Sequence, residues 1–374
     1  MDRARIKQNI ATLHADLDRR EFLKWSVAAG LGGIGGYAQA QAGASLDVLL
    51  ANALVSGPLK GILEKEANIK INDAPFQSST DVVSRLVAPG GTGRFNMMMS
   101  HSIFSRGPIL GEKAGAEKVS PIDLARVPNI AQVAEPFKPE GIERDGKVYG
   151  VPIMWGYDSV LFNKDHVPEA DAYTQSWGCI FEDKYAGRIG WFDTAHQMIM
   201  AAALYMGKDK PEQLSASELN DVGKFLISKK KNVRTLWTSF AQAENLLASG
   251  EIVCTFGPIP VRYNLQKKNF PVTNAWCKEG VLSFVQTGYI PKDSKNQDAA
   301  HAMINAMLGK TYASQLSPVS GYLSASKLGA LDLSADERKR WGYGIAEGST
   351  KHYPLRMPPN LSAWIELWSR VKSA

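Results

Sequence analysis

Lys147-Val148-Tyr149-Gly150-Val151-Pro152-Ile153-Met154-Trp155-Gly156-Tyr157, resumed by Val160-Leu161-Phe162-Asn163-Lys164, is the stretch on which the fold turns. Its first half reads as an apolar strand that crosses from one lobe of the molecule to another. On its N-terminal side, Leu46–Leu50, Ile69–Ile71 and Phe95–Met99 read as strands, separated by helical segments at Leu59–Glu66 and Asp81–Val87. On its C-terminal side come a strand at Ile189–Asp193, helices at His196–Met206, Glu218–Lys229 and Ser239–Ser249, and a strand at Ile252–Gly257. The chain then returns through Thr287–Pro291 and a helix at Gln297–Leu308, and ends with a loop at Pro318–Tyr322 and a helix at Leu361–Lys372. Alternating strands and helices predict an α/β fold with largely parallel sheets. A chain of 374 residues suits two lobes of about 150 residues each. The expected bounds are 44–152 with 288–345 for lobe 1, 153–287 for lobe 2, and 346–374 for a C-terminal segment packing on both.

The composition is that of an ordinary globular chain, with 44% hydrophobic and 21% charged residues and no low-complexity tract. The net charge of +6 is scattered, and the basic cluster Lys229-Lys230-Lys231 is read as a solvated helix end. Without a basic stripe interleaved with aromatics, no nucleic-acid partner is expected.

Asp18-Arg19-Arg20-Glu21-Phe22-Leu23-Lys24 resembles the twin-arginine export motif. A Gly-rich apolar stretch, Trp25–Tyr37, follows, and small residues at Ala38-Gln39-Ala40 or Ala40-Gln41-Ala42 stand at signal-peptidase spacing. Residues 1–42 are therefore expected to be a cleaved leader handled by the twin-arginine translocase, with the remainder periplasmic. Cys179, Cys254 and Cys277 lack metal-ligand or redox spacing; they are either buried thiols or include one disulfide, for which Cys254–Cys277 is the better pairing.

From Val151 onward the chain resembles the extracellular solute-binding family that includes spermidine/putrescine-binding proteins. The resemblance rests on Val151–Gly156 before Asn163-Lys164-Asp165, Ser176-Trp177 before Tyr185–Ile189, and Gly250-Glu251-Ile252 before Phe256-Gly257. Trp276–Gly280 before Ile290–Asn296, with Ala299–Leu308 and Gly321-Tyr322, completes the series in the family's order. It implies an α/β two-lobed periplasmic binding protein, a type II-like clamshell in which each lobe is a mixed, mostly parallel sheet flanked by helices. It implies binding rather than catalysis: hinge closure over a small amine, then delivery to an ABC permease and its ATPase, by a monomer without a cofactor.

Matched residue by residue, the resemblance puts Asp193 on the family's acidic ligand position and His196 where a second acid is expected. Phe256 and Phe284 fall on aromatic positions, Gln286 on an acidic one and Tyr322 on a tyrosine. Ser100 and Ser102 fall on the Ser/Thr-Tyr-Tyr turn, Asn52 on a cage tryptophan, and Arg356 near the last ligand residue, where it either binds a far carboxylate or is solvated. Each also has a plainer reading, as core for Phe256, Phe284 and Tyr322 and as a helix start for Asp193 and His196. With one carboxylate left, a monoamine or zwitterion suits the set better than a polyamine, unless another acid such as Asp158 turns into the cleft.

An enzyme is not expected, because Gly-x-Ser-x-Gly, HExxH, a dinucleotide fingerprint and a P-loop are all missing. A ferric-iron binder would want paired tyrosines, which the chain lacks. A ligand sensor on the same clamshell stays open.

Overall fold

In the computed structural model, which describes residues 43–374, Lys147–Asn163 form one continuous 17-residue strand, buried from Tyr149 onward. The expected leader lies outside the described residues. In chain order the strands are β1 (Ala44–Leu49), β2 (Ile69–Asp73), β3 (Met97–His101), β4 (Val119–Ser120), β5 (Ile142–Arg144), β6 (Lys147–Asn163) and β7 (Ile189–Phe192). They continue as β8 (Val233–Trp237), β9 (Cys254–Pro258), β10 (Val272–Asn274), β11 (Val281–Pro291), β12 (Leu323–Ser324) and β13 (His352–Pro354). The helices are α1 (Pro58–Glu66), α2 (Ser79–Val87), α3 (Ser102–Leu110), α4 (Ala195–Tyr205), α5 (Ala216–Lys229) and α6 (Phe240–Ala248). After them come α7 (Ile259–Lys267), α8 (Gln297–Leu308), α9 (Lys310–Ser320), α10 (Ala335–Trp341) and α11 (Leu361–Ser373).

The main sheet runs β2-β1-β3-β11-β6-β9-β7-β8. At one end β1 lies parallel between β2 and β3, and at the other β7 lies parallel between β8 and β9. Each trio joins its parallel strands through helices. Between the trios stand β11 and β6, antiparallel to each other and each antiparallel to its neighbouring trio. The result is a two-lobed clamshell whose lobes share one sheet through two long strands. Helices α1, α2, α8 and α9 cover the first trio, and α4, α5 and α6 the second.

Local chemistry sets the helix ends. Ser215 and Glu218 form a reciprocal capping box on α5, as do Ser334 and Glu337 on α10. The expected loop at Pro318–Tyr322 is instead the last turn of α9: Tyr312, Ala313 and Leu316 bury one face, and Gly321 at φ +78° terminates the helix in the left-handed region. Helix α7, which the apolar pattern does not announce, starts at Ile259 and has Pro260 in its first turn, where the missing N–H costs nothing.

The C-terminal segment adds β13 parallel to Val281–Ser283 of β11, then lays α11 against α4 and α5. Trp364, Leu367, Trp368 and Val371 make its apolar stripe, at 1%, 2%, 4% and 0% exposure. Each such burial is worth about 1.5–3 kcal/mol before conformational entropy is counted. All three cysteines are buried free thiols rather than a bridged pair: Cys254 Sγ faces the Cys179 carbonyl at 3.2 Å, while Cys277 Sγ lies 3.5 Å from Ser159 Oγ.

Candidate functional site

Asp158 is the residue at which β6 changes partner, in register with Leu282 of β11 on one side and with Pro258 of β9 on the other. Ligands of open α/β sheets gather where strand order switches, and a cavity of about 90 Å³ opens at this point. Asp158, His101, Phe284, Gln286, Tyr322 and Leu355 line it from the middle strands and the first lobe. Phe192, Gln197, Phe240, Pro258 and Pro260 close it from the second lobe.

Strand geometry positions the first set. Phe284 and Gln286 are two apart on β11 and share a face, which brings both side chains to the cavity. The Phe284 ring lies over Gly156 on the neighbouring strand, where a Cβ would come within 2.4 Å of its Cζ, so only glycine leaves the ring this seat. His101 stacks on the same ring with centroids 4.7 Å apart, and Tyr322 meets it edge-on at 6.3 Å. Between Gln286 and Thr287 the β6–β11 register slips, a bulge of the kind that re-aims a side chain beside a site.

The electrostatics are those of an unfilled demand. Asp158 is 4% exposed, and among the described residues no group donates a hydrogen bond to its carboxylate. Burial alone pushes its pKa up to about 7. Tyr322 is raised to about 12, first by burial and then by the Asp158 charge. His101 is held down to about 4 by burial, helped by His196, so it stays neutral near pH 7. Gln286 Oε1 is buried without a donor, a second orphaned acceptor in the same cavity.

Of the residues expected at the site, Phe284, Gln286 and Tyr322 line this cavity and the others stand elsewhere. Asp193 is engaged by the C-terminal helix: Trp368 Nε1 donates to Oδ1 at 2.7 Å and Lys372 Nζ pairs with the carboxylate at 3.1 Å. Arg356 forms a two-pronged pair with the buried Glu140, at 2.5 and 3.1 Å, instead of facing a ligand. His196 Nε2 lies 2.6 Å from the Arg356 carbonyl oxygen, and its pKa is lowered by burial. Ser102 donates to that same Glu140 at 3.1 Å, and Ser100 shares a hydrogen bond with the Tyr289 hydroxyl at 2.9 Å. Phe256 is wholly buried, stacked on Trp177 and backing Phe192 from behind. Asn52 is exposed at a short 3₁₀ turn.

Besides Pro258 and Pro260, sequence reasoning did not single out His101, Phe192, Gln197, Phe240 and Leu355. Four of these five are immediate neighbours of residues it did single out: His101 lies between Ser100 and Ser102, Phe192 precedes Asp193, Gln197 follows His196, and Leu355 precedes Arg356. The usable signal was strand alternation, since neighbours in a strand face opposite ways. A larger surface groove of about 800 Å³, lined by Trp276, Leu333, Arg338 and Glu347 among others, is a weaker candidate because Arg338 and Glu347 already pair at 2.9 Å. Among the described residues no cluster of three His, Cys, Asp or Glu is placed to hold a metal ion, and no helix is long and apolar enough to cross a membrane.

This lobe–strand–lobe arrangement is found in known proteins. The putrescine-binding periplasmic protein PotF of Escherichia coli is 24% identical over 328 residues, covering 83% of this chain and 86% of its own. Spermidine/putrescine-binding periplasmic protein 1 of Haemophilus influenzae is 24% identical over 259 residues, 69% of each chain. The crystal structure of the spermidine/putrescine ABC transporter substrate-binding protein PotD from Streptococcus pneumoniae superposes with a TM-score of 0.75 at 16% identity, over 88% of this chain and 99% of that one. Residues 62–337 match the bacterial extracellular solute-binding proteins as a family, and the chain belongs to it.

Proposed function

We propose that this chain is the substrate-binding component of an ABC importer and captures a small organic amine with one ammonium group, which Asp158 neutralises. The observation that carries the reading is Asp158 itself: a buried carboxylate with no donor among the described residues, facing a cavity between the lobes. An isolated buried carboxylate is costly, and an ammonium supplies both the counter-charge and the missing hydrogen bonds. Phe284, Tyr322, Phe192 and Phe240 supply apolar and π-faces for the ligand's carbon body and for cation–π contact. The polyamine names of the relatives support an amine, while the single acid in the lining supports one ammonium rather than several. With Arg356 committed to Glu140, the lining offers no guanidinium to a carboxylate, which favours a neutral donor group over a zwitterion at the ligand's other end, where Gln286 Oε1 waits. In keeping with this role, export by the twin-arginine route is expected to fail when Arg19 and Arg20 are both changed to Lys, as read by cell fractionation.

Competitive titration of spermidine, putrescine and a panel of single-amine compounds tests the reading. Spermidine is expected to bind at least tenfold more weakly than the best single amine, a gap of about 1.4 kcal/mol. Spermidine as the tightest ligand would overturn the ligand class, and no amine binding at all would overturn the function.

A further inference from the structure

Away from the cleft, α7 and α10 enclose a second pocket of about 190 Å³ lined by Arg262, Tyr263, Gln266, Lys267, Arg340 and Trp341. Three of these six residues are cationic and none is acidic. At its buried end Arg262 is 3% exposed, yet it has no carboxylate partner among the described residues. Its Nη1 donates only to neutral oxygens, the Tyr157 hydroxyl at 2.9 Å, the Arg340 carbonyl at 3.0 Å and the Asn274 side-chain carbonyl. Its Nε is buried with no acceptor at all. Arg340 and Lys267 likewise form no ion pair among the described residues, Lys267 Nζ standing instead 5.1 Å from the Tyr263 ring centroid.

Two neighbouring cations, one on α10 and one on the turn after α7, behave differently. Lys268 pairs with Glu244 at 3.2 Å and Arg338 with Glu347 at 2.9 Å, so acids are at hand and the pocket's own cations are left without one. A buried guanidinium hydrogen-bonded only to neutral groups keeps much of its desolvation cost, and its planar fork is shaped for a two-oxygen anion. We propose that this pocket binds a small oxyanion, a phosphate or a carboxylate, with Arg262 at its base and Lys267 and Arg340 at its mouth. The residues concerned are separate from those of the amine cavity.

Calorimetric titration of the mature chain with inorganic phosphate and with acetate, against chloride at matched ionic strength, tests this. Saturable binding of either oxyanion is expected, weakened at least tenfold in a Lys267→Gln, Arg340→Gln double variant whose amine binding is unchanged. Arg340 is exposed and its carbonyl bond to Arg262 survives the substitution, so the variant is expected to fold. Tighter phosphate would assign a phosphoryl group as the natural feature and tighter acetate a carboxylate. No saturable binding beyond chloride, or equal binding in the double variant, would overturn the proposal.

Discussion

Asp193, at the end of one strand of the shared sheet, and Asp158, within another, are both acidic residues, yet they stand in opposite surroundings. Asp193, just past β7, accepts from Trp368 and pairs with Lys372, so its charge serves to dock α11 on the second lobe. Asp158, in mid-strand where β6 passes between the lobes, has burial without a partner. A carboxylate whose hydrogen bonds are already met has little to gain from an ammonium, whereas one that is buried and unmet has much. The position that family resemblance assigns to the ligand is thus occupied by the docking of a C-terminal helix, and the proposed ammonium partner is instead the buried acid of the crossing strand.

That contrast breaks most directly under substitution. Asp158→Asn is expected to weaken binding of the best single amine roughly 10- to 100-fold in calorimetry at pH 8, the range of a charge-assisted hydrogen bond of about 1.5–3 kcal/mol. An unchanged affinity would remove Asp158 from the site.

Next in size is the pH dependence. In the free protein the Asp158 carboxyl titrates near 7, and only its ionised form pairs with an ammonium. Affinity is therefore expected to fall about tenfold from pH 6 to pH 5 and to level off above pH 8, with His101 and Tyr322 not titrating in that window. The sign for stability is the reverse. A carboxyl whose folded pKa lies above its ordinary value near 3.9 holds its proton more tightly when folded, so its contribution is full below about pH 4 and is lost as pH rises through 7. Ligand-free wild type should thus melt below Asp158→Asn at pH 8 and level with it at pH 4, as scanning calorimetry would read.

A smaller loss, several-fold in affinity and about 1 kcal/mol, is expected for Gly156→Ala, because the new methyl would displace the Phe284 ring from its seat. Fluorescence or calorimetric titration would report it, and wild-type affinity would show that the ring has no part in holding ligand. Least of all is expected from Asp193→Asn: amine affinity within about twofold and a melting temperature lower by roughly 1–2 °C, since only the half-exposed Lys372 pair is lost while the amide oxygen still accepts from Trp368. A fall in affinity as large as that of Asp158→Asn would erase the distinction between the two acids.

Much of the architecture was legible in the chain. The strand at 147–163, the first strand–helix–strand trio, two strands of the second and the helix at Gln297–Leu308 follow from hydrophobic runs and their period. Less legible were the short elements, α7, α10 and β8, which carry too few residues for a period to stand out. Of the residues that the family resemblance put at the site, Phe284, Gln286 and Tyr322 line the cavity. The near misses at Ser100, Asp193, His196 and Arg356 each fell one residue from a residue that lines the cavity.

The reason is physical. Which segments are strands, and that two of them cross between lobes, is decided locally, because apolar runs must be buried and their period shows it. Which of two adjacent side chains faces the cleft is decided by register, by the bulge after Gln286, and by where the C-terminal helix comes to rest. These depend on packing between residues more than a hundred positions apart, as Asp193 and Trp368 are, and no local pattern encodes them. Local pattern sets the strands of the two-lobed sheet, whereas which acid lines the central cavity, Asp158 rather than Asp193, follows from packing between distant segments.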